Sequence, residues 1–302
     1  ISERNYPAVK VSTRVGHGII RLPFSVIPTT PMSDIINSII LGIVEGITEF
    51  LPVSSTGHLI VTQELLNFKG SDTFEIVIQL GGVLAVLWFY FHKLWEQARL
   101  VSHDKAVQRF WLGVIVAFLP AAFVGLALHK YITAYLFNGT TVAISLIVGG
   151  IVMWWIEGLP VREQATSRLE DMSLRQCLLV GCAQLCALIP GVSRSASTIM
   201  GGMLVGLNRT TATSFSFFLS IPTLGAASFY SLLKDLQGVG EHGALNIGIG
   251  LFTSFIVSLL SIGWLLRYIS NHSFRGFAIY RIFAGIVILL LTWTGFLHVG
   301  AA

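Results

Sequence analysis

Charged residues are scarce in this chain. Asp, Glu, Lys and Arg make up 11% of its 302 residues, whereas a soluble domain carries roughly 25%. The net charge of +4 is small, and the basic residues are dispersed among connecting segments, which argues against a nucleic-acid-binding surface. Hydrophobic residues reach 54% and the mean hydropathy is +0.76. This balance excludes an ordinary soluble domain and predicts a polytopic membrane protein.

Cysteine is also rare. The three cysteines, Cys177, Cys182 and Cys186, lie in one short stretch. Their spacing matches neither a zinc site nor a redox pair. We therefore expect them to be small packing residues on a buried helix.

The first 31 residues lack an apolar run long enough to span a membrane, and they lack a signal-peptide pattern. Met32 stands immediately before the first periodic apolar segment. Residues 1–31 are therefore interpreted as a non-native or disordered extension. Residues 32–302 are interpreted as a single integral membrane domain.

Six apolar segments are long enough to cross a membrane as helices, since each has about 18 to 22 residues and the hydrocarbon layer is roughly 30 Å thick. Two further apolar segments, 34–66 and 174–207, are interrupted at their middle by proline and by clusters of Gly, Ser and Thr. They predict re-entrant helical hairpins, whose exposed backbone must be satisfied by protein or by a water-filled cavity. The six predicted spans are 73–92, 109–128, 140–157, 212–233, 247–266 and 277–297.

The two halves of the domain resemble each other. Each half, about 32–157 and about 172–297, contains one hairpin and three spans. Because three is odd, the second half must be inverted relative to the first, as in transporters with a site near the membrane midplane. The predicted fold is all-α, with an inverted repeat of two such halves. The matching segments, in order, are LPVSST and IPGVSRS, TFEIVIQLGGVLAV and SFSFFLSIPTLGAA, and AISLIVGGIV and AIYRIFAGIV.

Basic residues of the predicted loops fall unequally on the two faces, three against eleven. The positive-inside rule places the eleven in the cytoplasm, so the first hairpin enters from the outside. Arg194 is then the only Lys or Arg assigned to membrane depth. Glu157 and Lys93, at span ends, are interpreted as snorkelling side chains. The outer set is Lys69, Lys130 and Lys234; the inner set is Lys93, Arg99, Lys105, Arg109, Arg162, Arg168, Arg175, Arg209, Arg267, Arg275 and Arg281.

The first hairpin carries two carboxylates. Glu45 and Glu49 are four residues apart and share one helical face. A carboxylate at membrane depth costs about 2.5 to 3.5 kcal/mol, so this pair needs a cation, a proton or a polar cavity. The turn of residues 54–57 then offers hydroxyl and backbone N–H groups at a helix start, an anion-binding arrangement. His58 follows as a candidate acid, base or nucleophile.

The second hairpin adds a guanidinium, at Arg194, to a similar turn of small hydroxyl residues. A guanidinium suits bidentate recognition of phosphate. Together the two hairpins predict a site for a divalent metal and a phosphate group. Glu75 and Gln79, on a span, are left open between a structural hydrogen-bond pair and a functional role.

The motifs EGITEFLPVSSTGH (45–58) and PGVSRSAST (190–198) resemble the two signatures of the bacterial undecaprenyl-diphosphate phosphatase family, also called the bacitracin-resistance family. The resemblance extends from about Met32 to about Leu297. It implies hydrolysis of undecaprenyl diphosphate to undecaprenyl phosphate and inorganic phosphate, which recycles the lipid carrier of peptidoglycan synthesis and confers bacitracin resistance. It also implies a divalent metal, Mg2+ or Ca2+, and a location in the bacterial inner membrane with the site opening to the periplasm.

The resemblance assigns a role to each matched residue. It leaves open whether Ser55, His58 or water is the nucleophile. In its terms Glu45 and Glu49 are the metal-binding or proton-handling carboxylates, Ser55 is the proposed nucleophile, His58 is the proposed base, Arg194 is the phosphate clamp, and Ser54, Thr56, Ser193, Ser195 and Thr198 bind or support the phosphate.

An alternative function is a flippase or transporter of polyprenyl phosphate or another anion, because inverted repeats with paired hairpins are typical of transporters. A transporter needs a phosphate clamp and a gate but no nucleophile and base. The presence of Ser55 and His58 beside two carboxylates therefore favours hydrolysis. The expected partners are undecaprenyl diphosphate and membrane lipid, without nucleic acid. The oligomeric state is left open, with a homodimer as one option.

Overall fold

A computed structural model of the protein describes residues 13–15, 18–20, 31–68, 72–160, 165–234 and 244–297. Two short strands, β1 (Thr13–Val15) and β2 (Gly18–Ile20), form an antiparallel pair. The remainder of the segment 1–30 lies outside the described residues. The interpretation of residues 1–31 as an extension therefore stays a prediction.

The described part of the membrane domain is helical. Its α-helices are α1 (Pro31–Thr48), α2 (Ser55–Leu65), α3 (Asp72–Phe89), α4 (Phe91–Leu100), α5 (Lys105–Tyr131), α6 (Gly139–Glu157), α7 (Leu174–Gln184), α8 (Arg194–Leu204), α9 (Arg209–Lys234), α10 (Ala244–Asn271) and α11 (Arg275–Trp293). A π-helical turn, Ile132–Leu136, extends α5, and short 3-10 turns occupy Leu169–Asp171 and Leu185–Leu188.

Five helices of the described part are long and apolar enough to cross a membrane, namely α5, α6, α9, α10 and α11. The predicted span 73–92 contains a break instead of one straight helix. There, α3 and α4 meet at Tyr90 with a bend of 68°. The count is six if this bent pair forms one span. The protein is therefore a polytopic membrane protein, as its composition predicted.

Both interrupted segments fold as pairs of helices joined by a tip. The tip of the first hairpin, residues 49–54, joins α1 to α2, and the tip of the second, residues 189–193, joins the 3-10 turn after α7 to α8. Each tip contains the proline that the sequence marked as a break. However, α1 has 18 residues and is longer than the predicted half-helix, although it is not among the helices that meet the apolar criterion for a span.

The hairpins are held by close contacts with long helices. Helix α1 packs on α10, and α7 packs on α5. Glycine is required at both contacts, because a Cβ atom at Gly46 would overlap Val257 and one at Gly181 would overlap the backbone of Ala117. Helix α3 packs on α9 and α10, and α6 packs on α11. These contacts fix the depth at which the two tips lie.

The cysteine prediction is correct for one residue of three. Cys177 is buried, whereas Cys182 and Cys186 are exposed. Helix α7 buries only one face against its neighbours, and Leu178 and Leu179 on it are also exposed. A hydrophobic sequence does not distinguish a face that contacts protein from a face that contacts lipid.

The interpretation of Glu157 as a snorkelling residue is wrong. Its buried carboxylate accepts two hydrogen bonds from Arg209, Nε at 2.9 Å and Nη2 at 2.6 Å, and a third from the backbone N–H of Phe274 at 3.0 Å. The bidentate pair joins the end of α6 to the start of α9, and the bond from Phe274 joins it to the start of α11. Lys93 lies 2.9 Å from Glu170 in a partly exposed ion pair.

Candidate active site

The two tips meet inside the protein. The Ser195 hydroxyl donates a hydrogen bond to the carbonyl oxygen of Leu51 at 2.9 Å, which joins the second hairpin to the first. A cavity of about 110 Å³ lies where the tips face α3 and α9. Its polar lining residues are Glu49, Ser54, Ser55, Thr56, Gln79, Ser193 and Arg194.

Glu49 is the centre of this site. Its Oε2 accepts a hydrogen bond from Ser55 Oγ at 2.6 Å, and its Oε1 accepts one from Arg194 Nη2 at 2.9 Å. Arg194 is fixed further by Ser216, whose carbonyl oxygen accepts from Nη1 at 3.1 Å, and by the ring of Phe50, 5.7 Å away. Hydrogen bonds to an ionised acceptor are short and strong, so the Glu49 carboxylate orients both the hydroxyl and the guanidinium.

The backbone at both tips adopts the same uncommon conformation. Ser54 has φ of 73° and Ser193 has φ of 76°, in the left-handed region, and each residue precedes the first turn of a helix. Such conformations cost energy and persist where the surrounding structure imposes them. The Ser193 hydroxyl caps α8 by accepting from the N–H of Ala196, whereas the Ser54 side chain makes no cap bond to α2. The start of α2 therefore offers N–H groups to an anion in the cavity.

His58 contacts the first tip and α11. Its Nδ1 lies 2.7 Å from the carbonyl oxygen of Ser54, and its Nε2 lies 2.6 Å from the hydroxyl of Tyr280, on whose ring it also stacks. His58 is not among the residues that line the cavity. The structure thus brings the Ser55 hydroxyl to Glu49 and brings His58 to α11.

Glu45 lies one turn before Glu49 on α1 and is fully buried. Neither of its carboxylate oxygens has a hydrogen-bond partner among the described residues. Within the same part of the chain, no three His, Cys, Asp or Glu side chains gather into a metal site. Both oxygens of Glu49 are engaged, so Glu45 offers the free acidic ligand for a cation. An unpartnered buried carboxylate fits such a ligand, because burial without a partner is costly.

The predicted phosphate residues of the second tip divide into two groups. Ser193 lines the cavity, whereas Ser195 and Thr198 are buried behind it. Thr198 Oγ1 lies 2.7 Å from the hydroxyl of Ser216 and 2.9 Å from the carbonyl oxygen of Arg194. Ser195 and Thr198 therefore support the tip and Arg194 from behind the cavity.

The two polar residues of α3 lie in different surroundings. Glu75 accepts a hydrogen bond from Gln63 of α2 at 2.8 Å, and Gln79 lines the cavity. The fold therefore adds Gln79 to the candidate site.

The sequence assigned Arg281 to the inner face and made Arg194 the only basic residue at membrane depth. Both assignments are wrong, because Arg281 lies within α11 and is completely buried. Its guanidinium contacts carbonyl oxygens of both tips. Removing it leaves ten of the eleven residues in the inner set. Its place inside the predicted span 277–297 was the signal that could have identified it.

The fold and site define an integral membrane protein with a small polar cavity between two helical hairpins. The chain belongs to the bacitracin resistance protein BacA family, which it matches over residues 38–287. A protein of Deinococcus radiodurans named undecaprenyl-diphosphatase is 48% identical over 273 residues, covering 89% of this chain and 99% of its own. A protein of Methylobacillus flagellatus with the same name is 48% identical over 265 residues, 86% of this chain and 98% of its own. One of Methylococcus capsulatus, again of that name, is 46% identical over 275 residues, 87% and 99% of the two chains.

Proposed function

We propose that the protein hydrolyses undecaprenyl diphosphate to undecaprenyl phosphate and inorganic phosphate within the membrane. Family membership and relatives named undecaprenyl-diphosphatase support this activity. The single observation that carries the chemistry is the pair of contacts at Glu49, with Ser55 on one oxygen and Arg194 on the other. The product re-enters the lipid-carrier cycle. Resistance to bacitracin follows because the enzyme consumes the diphosphate that the antibiotic sequesters.

The first chemical step uses the Ser55 hydroxyl as nucleophile. Its proton passes to Glu49, which already accepts its hydrogen bond at 2.6 Å. The Ser55 oxygen bonds to the terminal phosphorus, and the bond from that phosphorus to the bridging oxygen breaks. Undecaprenyl phosphate leaves with the electron pair. A positioned base of this kind contributes about 100- to 10,000-fold to a rate.

The second step regenerates the enzyme. Water attacks the phosphoserine at residue 55, the bond between phosphorus and the serine oxygen breaks, and this oxygen regains the proton held by Glu49. Both protons of the water remain with the released phosphate. Glu49 thus acts as base and then as acid.

The phosphoryl oxygens bind between the start of α2 and Arg194. The α2 amides supply N–H donors, and Arg194 supplies a planar cationic donor held in place by Ser216 and Phe50. Fixed donors stabilise charge that develops on phosphoryl oxygens in the transition state.

A divalent cation, Mg2+ or Ca2+, is part of the proposal. Glu45 would hold it with its two free oxygens, since a carboxylate is a hard oxygen ligand. When bound, it supplies positive charge that neutralises the diphosphate.

His58 holds the turn at Ser54 against α11. Its proposed role is therefore to position the turn, and Glu49 takes the part of the base.

The architecture is proposed to be an inverted repeat, in which α1, α2, α3, α5 and α6 correspond to α7, α8, α9, α10 and α11. The packing supports this correspondence. The contact of α1 with α10 matches that of α7 with α5, and α3 with α10 matches α9 with α5. The equivalent pairs α3 and α9, and α6 and α11, contact each other. In this proposal the bent pair of α3 and α4 is the sixth span, and the site opens to the periplasmic side of the inner membrane.

Purified protein in detergent tests the activity with undecaprenyl diphosphate as substrate. We expect release of inorganic phosphate, with no second compartment required. The alternative, a flippase of polyprenyl phosphate, would release none. A phosphorylated intermediate can be trapped and the modified residue identified by mass spectrometry. Phosphate on Ser55 would support the proposed nucleophile over His58 and over direct attack by water.

A further inference from the structure

Arg281 connects the two hairpins at their tips. Its Nη1 donates to the carbonyl oxygen of Pro52 in the first tip at 3.1 Å. Its Nη2 contacts the carbonyl oxygens of Gly191 at 3.1 Å and Val192 at 2.8 Å in the second tip. A longer contact of 3.4 Å reaches the carbonyl oxygen of Ser145 in α6. One side chain of α11 thus holds three elements together.

This arginine has no ion-pair partner among the described residues, although its side chain is completely buried. A buried charge is costly unless it is paired or hydrogen-bonded. Carbonyl oxygens provide the compensation at Nη1 and Nη2, whereas Nε has no hydrogen-bond partner among the described residues. A rigid fork of donors can contact carbonyl groups of two tips simultaneously, which a lysine ammonium cannot reproduce.

The contact with Val192 fixes the orientation of one peptide group. In a trans peptide the C=O and the following N–H point in opposite directions, and the described residues contain no cis peptide bond. Because the Val192 carbonyl points to Arg281, the N–H of Ser193 points away from it. Ser193 lines the cavity and has the left-handed φ of 76°. Arg281 therefore lies on one side of the second tip, and the side of this tip that would face the phosphate is the opposite one.

We propose that Arg281 is a positioning residue of the phosphatase site, which aligns both tips so that the Ser193 N–H and the start of α2 face the phosphoryl group. The inference rests on the proposed function. It adds a backbone donor to the phosphate site and gives a reason for the strained conformation at Ser193, since such backbone persists where its surroundings impose it.

Gly149 offers a way to test Arg281 without removing it. A Cβ atom at Gly149 of α6 would overlap Arg281 Nη2. Gly149→Ala should therefore displace the guanidinium from the second tip. Gly248→Ala is the matched control, because a Cβ at Gly248 in α10 would contact nothing within 4 Å. Arg209→Lys is the control for Arg281→Lys, since Arg209 also forms a bidentate tie, but at the inner face.

Two quantities are measured in detergent for each variant: kcat with undecaprenyl diphosphate, and the dissociation constant of inorganic phosphate by calorimetry. For Arg281→Lys and Gly149→Ala we expect kcat to fall and phosphate binding to weaken by about 10- to 100-fold, because a misplacement of about 1 Å can cost about 100-fold. KM should change less, since the lipid tail would add binding energy away from the tips. Both controls should keep wild-type kcat and phosphate affinity, even if their melting temperatures fall.

The inference is overturned if Arg281→Lys and Gly149→Ala lower only the melting temperature and keep wild-type kcat and phosphate affinity. If Arg281→Lys fails to fold, Gly149→Ala decides by the same criteria. The double variant, Gly149→Ala with Arg281→Lys, should have a kcat no lower than that of Arg281→Lys alone, because the added methyl group then meets the thinner lysine side chain. Absence of hydrolysis by the wild type would instead contradict the proposed function, and the phosphate titration would still test the role of Arg281.

Discussion

Arg194 of the second hairpin donates a hydrogen bond of 2.9 Å to Glu49 of the first, across 145 positions of sequence. The same carboxylate accepts from Ser55 at 2.6 Å. Neither hairpin contains this arrangement alone. The three residues proposed for catalysis meet because packing brings the tips together.

Replacement of Arg194 by lysine keeps the charge but loses the planar fork that reaches both Glu49 and Ser216. We expect kcat to fall by about 100- to 1,000-fold, as for loss of a donor that stabilises the transition state. The assay is steady-state phosphate release by folded protein in detergent. Arg209→Lys is the control and should retain activity. Wild-type turnover in Arg194→Lys would place Arg194 outside the site.

Ser55→Ala should abolish phosphate release, with a loss of at least about 1,000-fold, because only binding and electrostatic stabilisation remain without the nucleophile. The fold should persist, since Glu49 keeps its contact with Arg194. Ser38→Ala is a matched control, because Ser38 is a fully buried serine of α1 that bonds only within its helix. Appreciable hydrolysis by Ser55→Ala would favour direct attack by water.

Glu49→Gln removes the proton acceptor of Ser55 and leaves Arg194 without a carboxylate. We expect kcat to fall by about 100- to 10,000-fold, the range attributed to a general base, and the melting temperature to fall because a buried ion pair is broken. Glu64→Gln, at an exposed position of α2, is the control for the assay. Retention of wild-type kcat in Glu49→Gln would assign the base to another group, and His58→Ala would be examined next.

A chelator should abolish hydrolysis, and added Mg2+ or Ca2+ should restore it, if Glu45 holds a divalent cation. Glu45→Gln should raise the metal concentration required for half-maximal rate, because a neutral amide is a weaker ligand for a hard cation. Phosphate release measured across a metal titration gives this value. Full activity of Glu45→Gln in chelator would remove the metal from the proposal.

The orientation of the protein can be tested with single cysteines in a variant whose three native cysteines are replaced. Ala134→Cys, in the exposed π-helical turn after α5, should react with an impermeant thiol reagent in intact spheroplasts. Ser102→Cys, exposed between α4 and α5, should not react. The positive-inside rule places these positions on opposite faces. Reversed labelling would place the first hairpin on the cytoplasmic face and contradict recycling of periplasmic lipid.

The helical class and both hairpin breaks followed from the sequence, since lipid forces backbone groups to bond within helices and proline interrupts them. The motifs likewise identified Glu49, Ser55 and Arg194, which the fold brings together. The bend at Tyr90 was not predicted, because apolar residues, Phe89 and Phe91, flank it on both sides.

The tertiary structure decided which groups meet. His58 contacts Tyr280 across 222 positions, and Arg281 contacts Pro52 across 229. Sequence spacing carries no information on such pairs, because they depend on how α11 packs against the hairpins. The sequence pattern likewise placed Glu157 at a span end and Arg281 among the loop charges of the inner face, where water or headgroups would solvate them. Both side chains are instead buried, so neither water nor headgroups can solvate them. Each charge is satisfied by a group on the neighbouring elements: Arg209 for Glu157, and the carbonyl groups of both tips for Arg281.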